Sequence, residues 1–153
     1  MNRIALLSGV FSLCLPFMAM AGGHHTIVSP EQLIWSEPDT LQKGAEIAVV
    51  NGDPSKEGPY VVRLRMPAGF KIMPHTHPDT ENVTVISGQF NIGTGDKFDE
   101  TKVEAVKAGG YALVPKGTHH YVLINEDTVI QLHGNGPAGI VYLNPADDPR
   151  KSN

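Results

Sequence analysis

The chain has 153 residues, of which 41% are hydrophobic and 18% are charged. This balance is typical of one globular domain and excludes an intrinsically disordered chain. With 12 Lys and Arg against 16 Asp and Glu, the formal net charge is −4, which argues against nucleic acid as a partner. The 16 Gly and 12 Pro residues indicate many turns, and therefore short strands rather than a helical bundle.

The segment 1–21 has the organisation of a secretory signal peptide. Arg3 gives it a positive start, an apolar run follows over 4–20, and Ala19-Met20-Ala21 offers the small-x-small pattern that signal peptidase accepts. We therefore expect cleavage after Ala21, a periplasmic or secreted protein, and no membrane attachment afterwards. An uncleaved membrane anchor is the alternative, although the apolar run is barely long enough to span a bilayer.

Cleavage would also remove Cys14, the only cysteine. The mature chain would then have neither a thiol nor a disulfide, which excludes cysteine metal ligands and thiol catalysis. The new N-terminus, Gly22-Gly23-His24, would place an imidazole third from a free amine. Such a terminus can bind square-planar Cu(II) or Ni(II) through the amine, two amides and the imidazole. A frayed tail without function is the alternative.

After this segment, the sequence predicts short β-strands separated by turns, with one short helical turn over 30–35. Apolar runs and apolar–polar alternation indicate the strands, and segments rich in Gly, Asn and Pro separate them. The predicted strands are 47–50, 60–66, 82–87, 89–92, 102–106, 111–114, 120–124, 129–133 and 140–143. Because only Gly88 separates 82–87 from 89–92, these two strands are expected to pair as a hairpin. The pattern indicates an all-β sandwich or barrel in a single domain, 22–153.

His75 and His77 are a candidate metal-binding pair. Residues two apart on an extended strand point to the same face, and neutral imidazoles suit Mn, Fe, Ni, Cu or Zn. Glu81 follows after a three-residue gap, which is long enough for the chain to turn and bring a carboxylate to the same centre. Histidine pairs at this spacing are not rare, and two surface histidines in a loop beside an acidic turn are the alternative.

Two segments resemble the two sequence motifs of the cupin superfamily. The stretch GFKIMPHTHPDTENVTVISG, residues 69–88, matches the first motif at its glycines, its His-x-His pair and its glutamate. The stretch GGYALVPKGTHH matches the second motif at Gly109, Pro115, Gly117 and His120. One position departs from the second motif, because Ile124 stands where the motif has Asn.

The resemblance implies a double-stranded β-helix (jelly-roll) barrel of the RmlC-like type, with one divalent transition metal inside its mouth. The ligands that it implies are His75, His77, Glu81 and His120. Adjacent strand residues face opposite ways, so only one of His119 and His120 can reach the metal; the motif register selects His120 and leaves His119 at the rim. The resemblance also makes a homodimer an expectation.

Four further residues are candidates for a substrate pocket beside the metal. Gln131 and His133 share one face of a late strand, and His133 would act as a general acid or base if that face lines the barrel interior. A hydrogen-bonded core histidine is the alternative. Arg63 and Arg65 would bind a substrate carboxylate if they face inward, whereas a solvated strand face is the alternative for this pair.

Two functions stay open at this point, since one fold hosts many reactions. The first is a metal-dependent enzyme, of oxygenase, decarboxylase or isomerase type, that acts on a small oxygenated organic molecule. Four protein ligands would leave positions on an octahedral ion for a substrate or O₂. The second is a non-catalytic protein that binds a metal or a small ligand.

Overall fold

The computed structural model describes residues 25–151, so the predicted signal peptide and Gly22-Gly23-His24 lie outside the described residues. Ten β-strands and four 3₁₀ helices make up this part of the chain. The strands are β1 (Glu46–Asn51), β2 (Gly58–Met66), β3 (Lys71–Thr76), β4 (Glu81–Ser87), β5 (Gln89–Thr94), β6 (Val103–Lys107), β7 (Tyr111–Val114), β8 (His120–Ile124), β9 (Thr128–Gly136) and β10 (Val141–Tyr142). The 3₁₀ helices are Pro30–Gln32, Glu100–Lys102, Pro145–Asp147 and Pro149–Lys151.

The strands form two five-stranded antiparallel sheets, which confirms the all-β prediction. The first sheet has the order β1-β2-β9-β4-β7, and the second has the order β10-β3-β8-β5-β6. One hydrophobic core joins them, with Leu64 and Val83 from the first sheet and Phe90 and Ile124 from the second. The inner faces of the two sheets therefore enclose the space in which a site could form.

Alternation along β2 decides which of its side chains enter the core. Val62, Leu64 and Met66 are buried, whereas Arg65 is exposed and Arg63 is only partly covered. Successive strand residues face opposite ways, so a strand that is apolar at every second position buries one face and solvates the other. Each buried apolar side chain contributes about 1.5–3 kcal/mol, and this contribution fixes the orientation of the strand.

The predicted hairpin between 82–87 and 89–92 is wrong. β4 pairs with β7 and β9 in the first sheet, whereas β5 pairs with β6 and β8 in the second. Gly88, the residue between them, has φ of 74° and carries the chain from one sheet to the other. Because β4 and β5 lie in sheets that face each other, each strand buries its apolar face in the same core.

Two local predictions hold in modified form. The helical turn expected over 30–35 is present as the shorter 3₁₀ helix Pro30–Gln32. The strand that carries the first histidine, β3, ends at Thr76, so His77 follows the strand directly.

Within residues 25–151, none of the helices has the length and apolar character that a bilayer crossing requires.

Candidate metal centre and adjoining cavity

Three histidines meet beside the space between the sheets. His75 in β3 lies directly opposite His120 in the neighbouring strand β8, and His77 follows β3. The ring centroids of His75 and His120 are 4.1 Å apart, and those of His77 lie 4.9 Å and 5.1 Å from the other two. One potential ligand atom from each ring lies within 4.8 Å of those of the other two rings.

Backbone carbonyls hold all three imidazoles in the same tautomer. Nδ1 of His75 and Nδ1 of His120 lie 2.8 Å and 3.0 Å from the carbonyl oxygen of the residue two positions earlier. Nδ1 of His77 lies 2.6 Å from the carbonyl oxygen of Gly139. A carbonyl oxygen only accepts hydrogen bonds, so each Nδ1 carries the hydrogen and donates it. In its neutral form, each ring therefore has its lone pair on Nε2, where a metal ion can bind it.

Burial keeps two of these rings neutral. Desolvation, assisted by the neighbouring His120 and His77, lowers the pKa of His75 to about 2. Desolvation likewise lowers the pKa of His120 to about 4. Metal ions bind the neutral form of imidazole, so both rings are in the ligand form at neutral pH.

Glu81, the fourth predicted ligand, begins β4 in the facing sheet. Its Oε2 lies 3.6 Å from Nε2 of His77, and burial raises the pKa of its carboxyl group. The set of donors that lie within 4.8 Å of one another contains the three histidines and not Glu81. Glu81 therefore stands next to His77, at the edge of the three-histidine group.

The donor set fits a divalent transition metal. Imidazole nitrogens bind such ions at about 2.0–2.1 Å, so two nitrogens on one ion lie no more than about 4.2 Å apart. Ligand atoms that already lie within 4.8 Å of one another need only a small side-chain adjustment to meet this limit. His75, His77 and His120 would hold the ion, and Glu81 would add a negatively charged oxygen, a donor set open to Mn, Fe, Ni, Cu and Zn.

A cavity of about 460 Å³ adjoins the histidines between the two sheets. Its apolar wall includes Val62 and Leu64 from β2, Val122 from β8, and Ile130 and Leu132 from β9. These residues occupy alternate positions on their strands, so the pleat that builds the core also builds the cavity. The candidate metal centre therefore adjoins a mainly apolar cavity.

The chain matches the family model of the ChrR cupin-like domain over residues 23–139. The chain belongs to the cupin superfamily. Both sequence motifs that carried the resemblance lie within the matched range. No curated protein matches this cupin.

Solved cupin structures share its fold. The polyketide cyclase RemF from Streptomyces resistomycificus is 16% identical, with a TM-score of 0.62 over 83% of this chain and 91% of the other. A putative acetylacetone dioxygenase from Methylibium petroleiphilum is 16% identical, with a TM-score of 0.61 over 86% of this chain and 90% of the other. An RmlC-like cupin from Shewanella frigidimarina is 14% identical, with a TM-score of 0.57 over 73% and 91%. At these identities, the similarity shows the fold alone.

The two arginines predicted as pocket residues lie on the outer face of this cupin's first sheet. Arg63 Nε donates to Oε1 of Gln131 at 3.2 Å. Arg65 donates to the carboxylate of Glu46, with 2.8 Å between one guanidinium nitrogen and Oε1, and its guanidinium carbon lies 4.5 Å from the ring centroid of Trp35. Neither arginine lines the cavity, so the structure corresponds to the solvated-face alternative.

Gln131 and His133 also lie outside the cavity, which corrects their predicted place in the pocket. Ile130 and Leu132 alternate with them along β9 and are buried, whereas Gln131 is partly covered and His133 is exposed. The shared face expected for Gln131 and His133 is present, but it is the outer one. His133 consequently has no access to a substrate in the cavity.

His119 faces outward, as predicted for the neighbour of His120. Its Nδ1 lies 2.6 Å from Oδ1 of Asp96, and 47% of its side chain is exposed. Strand alternation explains the outcome, because His120 occupies the inward position.

Tyr60 is a cavity residue that the sequence reasoning did not identify. It lines the cavity together with Asp79 and Glu81. Burial and, to a lesser degree, the charges of Glu81 and Asp79 raise the pKa of the Tyr60 hydroxyl. The signal was present in the sequence, because the buried alternation of β2 extends back from Val62 to Tyr60.

Proposed function

We propose that this cupin binds one divalent transition-metal ion on His75, His77, His120 and Glu81 and is an enzyme that acts on a small oxygenated organic molecule. The observation that carries the proposal is the common tautomer of the three histidines. Each Nδ1–H is engaged with a backbone carbonyl, which leaves each Nε2 free. Rings already oriented by such contacts need little reorganisation to bind a metal.

A bound ion would act as a Lewis acid on an oxygen of the substrate. The apolar side chains of the cavity would exclude water and hold the body of the substrate. The ordinary pKa of a tyrosine hydroxyl lies well above neutral pH, and burial raises that of Tyr60 further. The hydroxyl therefore keeps its proton and can donate a hydrogen bond from the cavity wall. Two of the similar structures bear enzyme names, a polyketide cyclase and a putative acetylacetone dioxygenase, so this fold is compatible with catalysis.

Metal analysis of matched histidine variants tests the site. We expect about one equivalent of metal in the wild type and in His119→Ala, and less than about a tenth of that in His75→Ala and His120→Ala, because removing a ligand from a buried site weakens binding steeply. Elemental analysis after dialysis measures the content, and circular dichroism checks that each variant is folded. Equal metal content in all four proteins would contradict the proposed ligand set.

A metal-binding protein without catalysis is the second candidate. It is favoured by the outward position of His133, since the residue predicted to transfer protons has no access to the cavity. The two candidates differ in metal exchange and in turnover. Slow release of metal to a chelator, with no conversion of a panel of phenols, ketones and carboxylic acids, would favour the second; rapid exchange with turnover would favour the enzyme.

We also propose that the protein is exported and that signal peptidase cleaves after Ala21. The support is the order of Arg3, the apolar run and Ala19-Met20-Ala21 in the sequence. Mass spectrometry of protein from the periplasmic fraction should find Gly22 as the first residue. The Cu(II) or Ni(II) site at Gly22-Gly23-His24 depends on this cleavage, and both it and the homodimer stay predictions.

A further inference from the structure

The lining of the cavity carries information about its ligand. Its neutral lining is mainly aliphatic and aromatic, with hydroxyl groups at Thr40, Ser55 and Tyr60. Its acidic side chains are Asp39, Asp79 and Glu81. Across residues 25–151, the cavity lining includes neither a lysine nor an arginine. Apart from the histidines and a metal bound to them, the lining therefore offers an anion no group of opposite charge.

This distribution disfavours ligands with charged groups or many hydroxyls. A buried carboxylate or phosphate without a cationic partner is strongly destabilised, and any ionised carboxylate in the lining would add repulsion. A sugar would place hydroxyls against side chains such as Val62, Leu64 and Phe90, where they would lose hydrogen bonds to water without replacement. A ligand with one oxygen-bearing end and an apolar body avoids both costs.

The volume sets the scale of that apolar body. An engineered apolar cavity of about 150 Å³ is large enough for benzene. At about 460 Å³, this cavity is roughly three times larger. It therefore has room for a molecule of about two fused rings, together with the group that reaches the metal.

We propose that the cavity binds uncharged, mainly apolar oxygenated molecules of about bicyclic size, such as phenols and ketones, in preference to sugars, phosphate esters and carboxylates. This substrate class rests on the proposed function, because the oxygen of the ligand would lie at the metal centre. The apolar contacts do not need the metal, so the preference should persist in metal-free protein.

Three probes with the same rings and different charge test this preference: 2-naphthol, 2-naphthoate and 2-naphthyl phosphate. Fluorescence titration of metal-free protein at neutral pH should give 2-naphthol the lowest Kd, at least about tenfold below that of either anion, which corresponds to about 1.4 kcal/mol. Using metal-free protein prevents an anion from binding through the ion alone. Equal binding of the three probes, or preference for an anion, would overturn the proposal.

Two phenylalanine variants on adjacent residues of β9 locate the bound probe. Ile130→Phe places a ring into the cavity, whereas Val129→Phe places the same ring on the outer face of the strand. We expect Ile130→Phe to weaken 2-naphthol binding at least about tenfold and Val129→Phe to leave it unchanged. In the wild type, methyl NMR should show shifts at Ile72 and Leu132 but not at Ile86. Shifts confined to outer-face methyls would overturn the proposal without relying on any variant.

The outcomes separate this inference from the proposed function. Metal binding at the histidines without a preference for 2-naphthol would contradict the ligand class and leave the metal site intact. Conversely, if 2-naphthol binds in the cavity but the wild type fails to bind Zn²⁺ or Mn²⁺ when these ions are supplied, the result would contradict the proposed function and support the ligand class.

Discussion

The two faces of the first sheet are built from alternate residues of the same strands, yet they differ in burial and in access to the cavity. On the inner face, Val62 and Leu132 border the cavity. On the outer face, Arg63 and Gln131 bond to each other beside the exposed His133. A residue's place in the alternation, rather than its chemical type, decides whether it can take part in the site.

Two glutamates that each begin a strand of this sheet also show that position, rather than residue type, decides the environment of a side chain. The Glu46 carboxylate lies on the outer face, where hydrogen bonding to Arg65 lowers its pKa. Glu81 lies at the cavity, where burial raises its pKa. Identical side chains thus have opposite electrostatic environments, and only Glu81 lies near the histidines.

Truncation on the inner face should produce the largest loss of stability. Met66→Ala removes a side chain that is 2% exposed and should lower the free energy of unfolding by about 2–5 kcal/mol, because it leaves a void in the core. Val129→Ala, on the outer face, should cost less than about 1 kcal/mol. Urea unfolding of both variants measures the difference. Similar losses for the two variants would show that the faces contribute equally.

The glutamate pair offers a second comparison, expressed in metal affinity. Glu81→Gln replaces a carboxylate 3.6 Å from Nε2 of His77 and should weaken Zn²⁺ or Mn²⁺ binding by about 10–100-fold, since the charge that would balance the ion is lost. Glu46→Gln is the matched control and should leave the affinity unchanged. Isothermal titration calorimetry measures both. An unchanged affinity in Glu81→Gln would remove Glu81 from the ligand set.

The smallest effect is expected at His133. His133→Ala should change the free energy of unfolding by no more than about 0.5 kcal/mol, and the metal content should stay at the wild-type level, because this side chain is exposed on the outer face. Any turnover that the wild type supports should also persist. Loss of turnover in a folded, metal-loaded variant would restore the catalytic role predicted from the sequence.

Much of the fold could be predicted because local patterns carry it. The alternation from Tyr60 to Met66 predicts both the strand and its buried face, and 111–114 and 120–124 coincide with β7 and β8. The hairpin across Gly88 failed for a reason that no local pattern contains. A single glycine can reverse a strand or pass it to a facing sheet, and the partners β9 and β8 decide between these outcomes from distant parts of the chain.

The site, too, could be predicted where it depends on local spacing and could not be predicted where it depends on contacts between distant residues. His75, His77 and His120 were identified from spacing and motif register, and the structure brings them together. The Gly139 carbonyl that orients His77 was not identified, because the contact joins residues far apart in the sequence. The inward face of β9 was likewise open, since alternation shows that Gln131 and His133 share a face but not which face is buried.

The sequence by itself determined the all-β class, the family resemblance and the identity of the candidate metal ligands, because these depend on residue type and short-range spacing. Only the tertiary structure decided which sheet each strand joins, which face of β9 lines the cavity and which carbonyls fix the histidine tautomers. Those properties arise when distant segments pack together, and packing selects among arrangements that are locally equivalent.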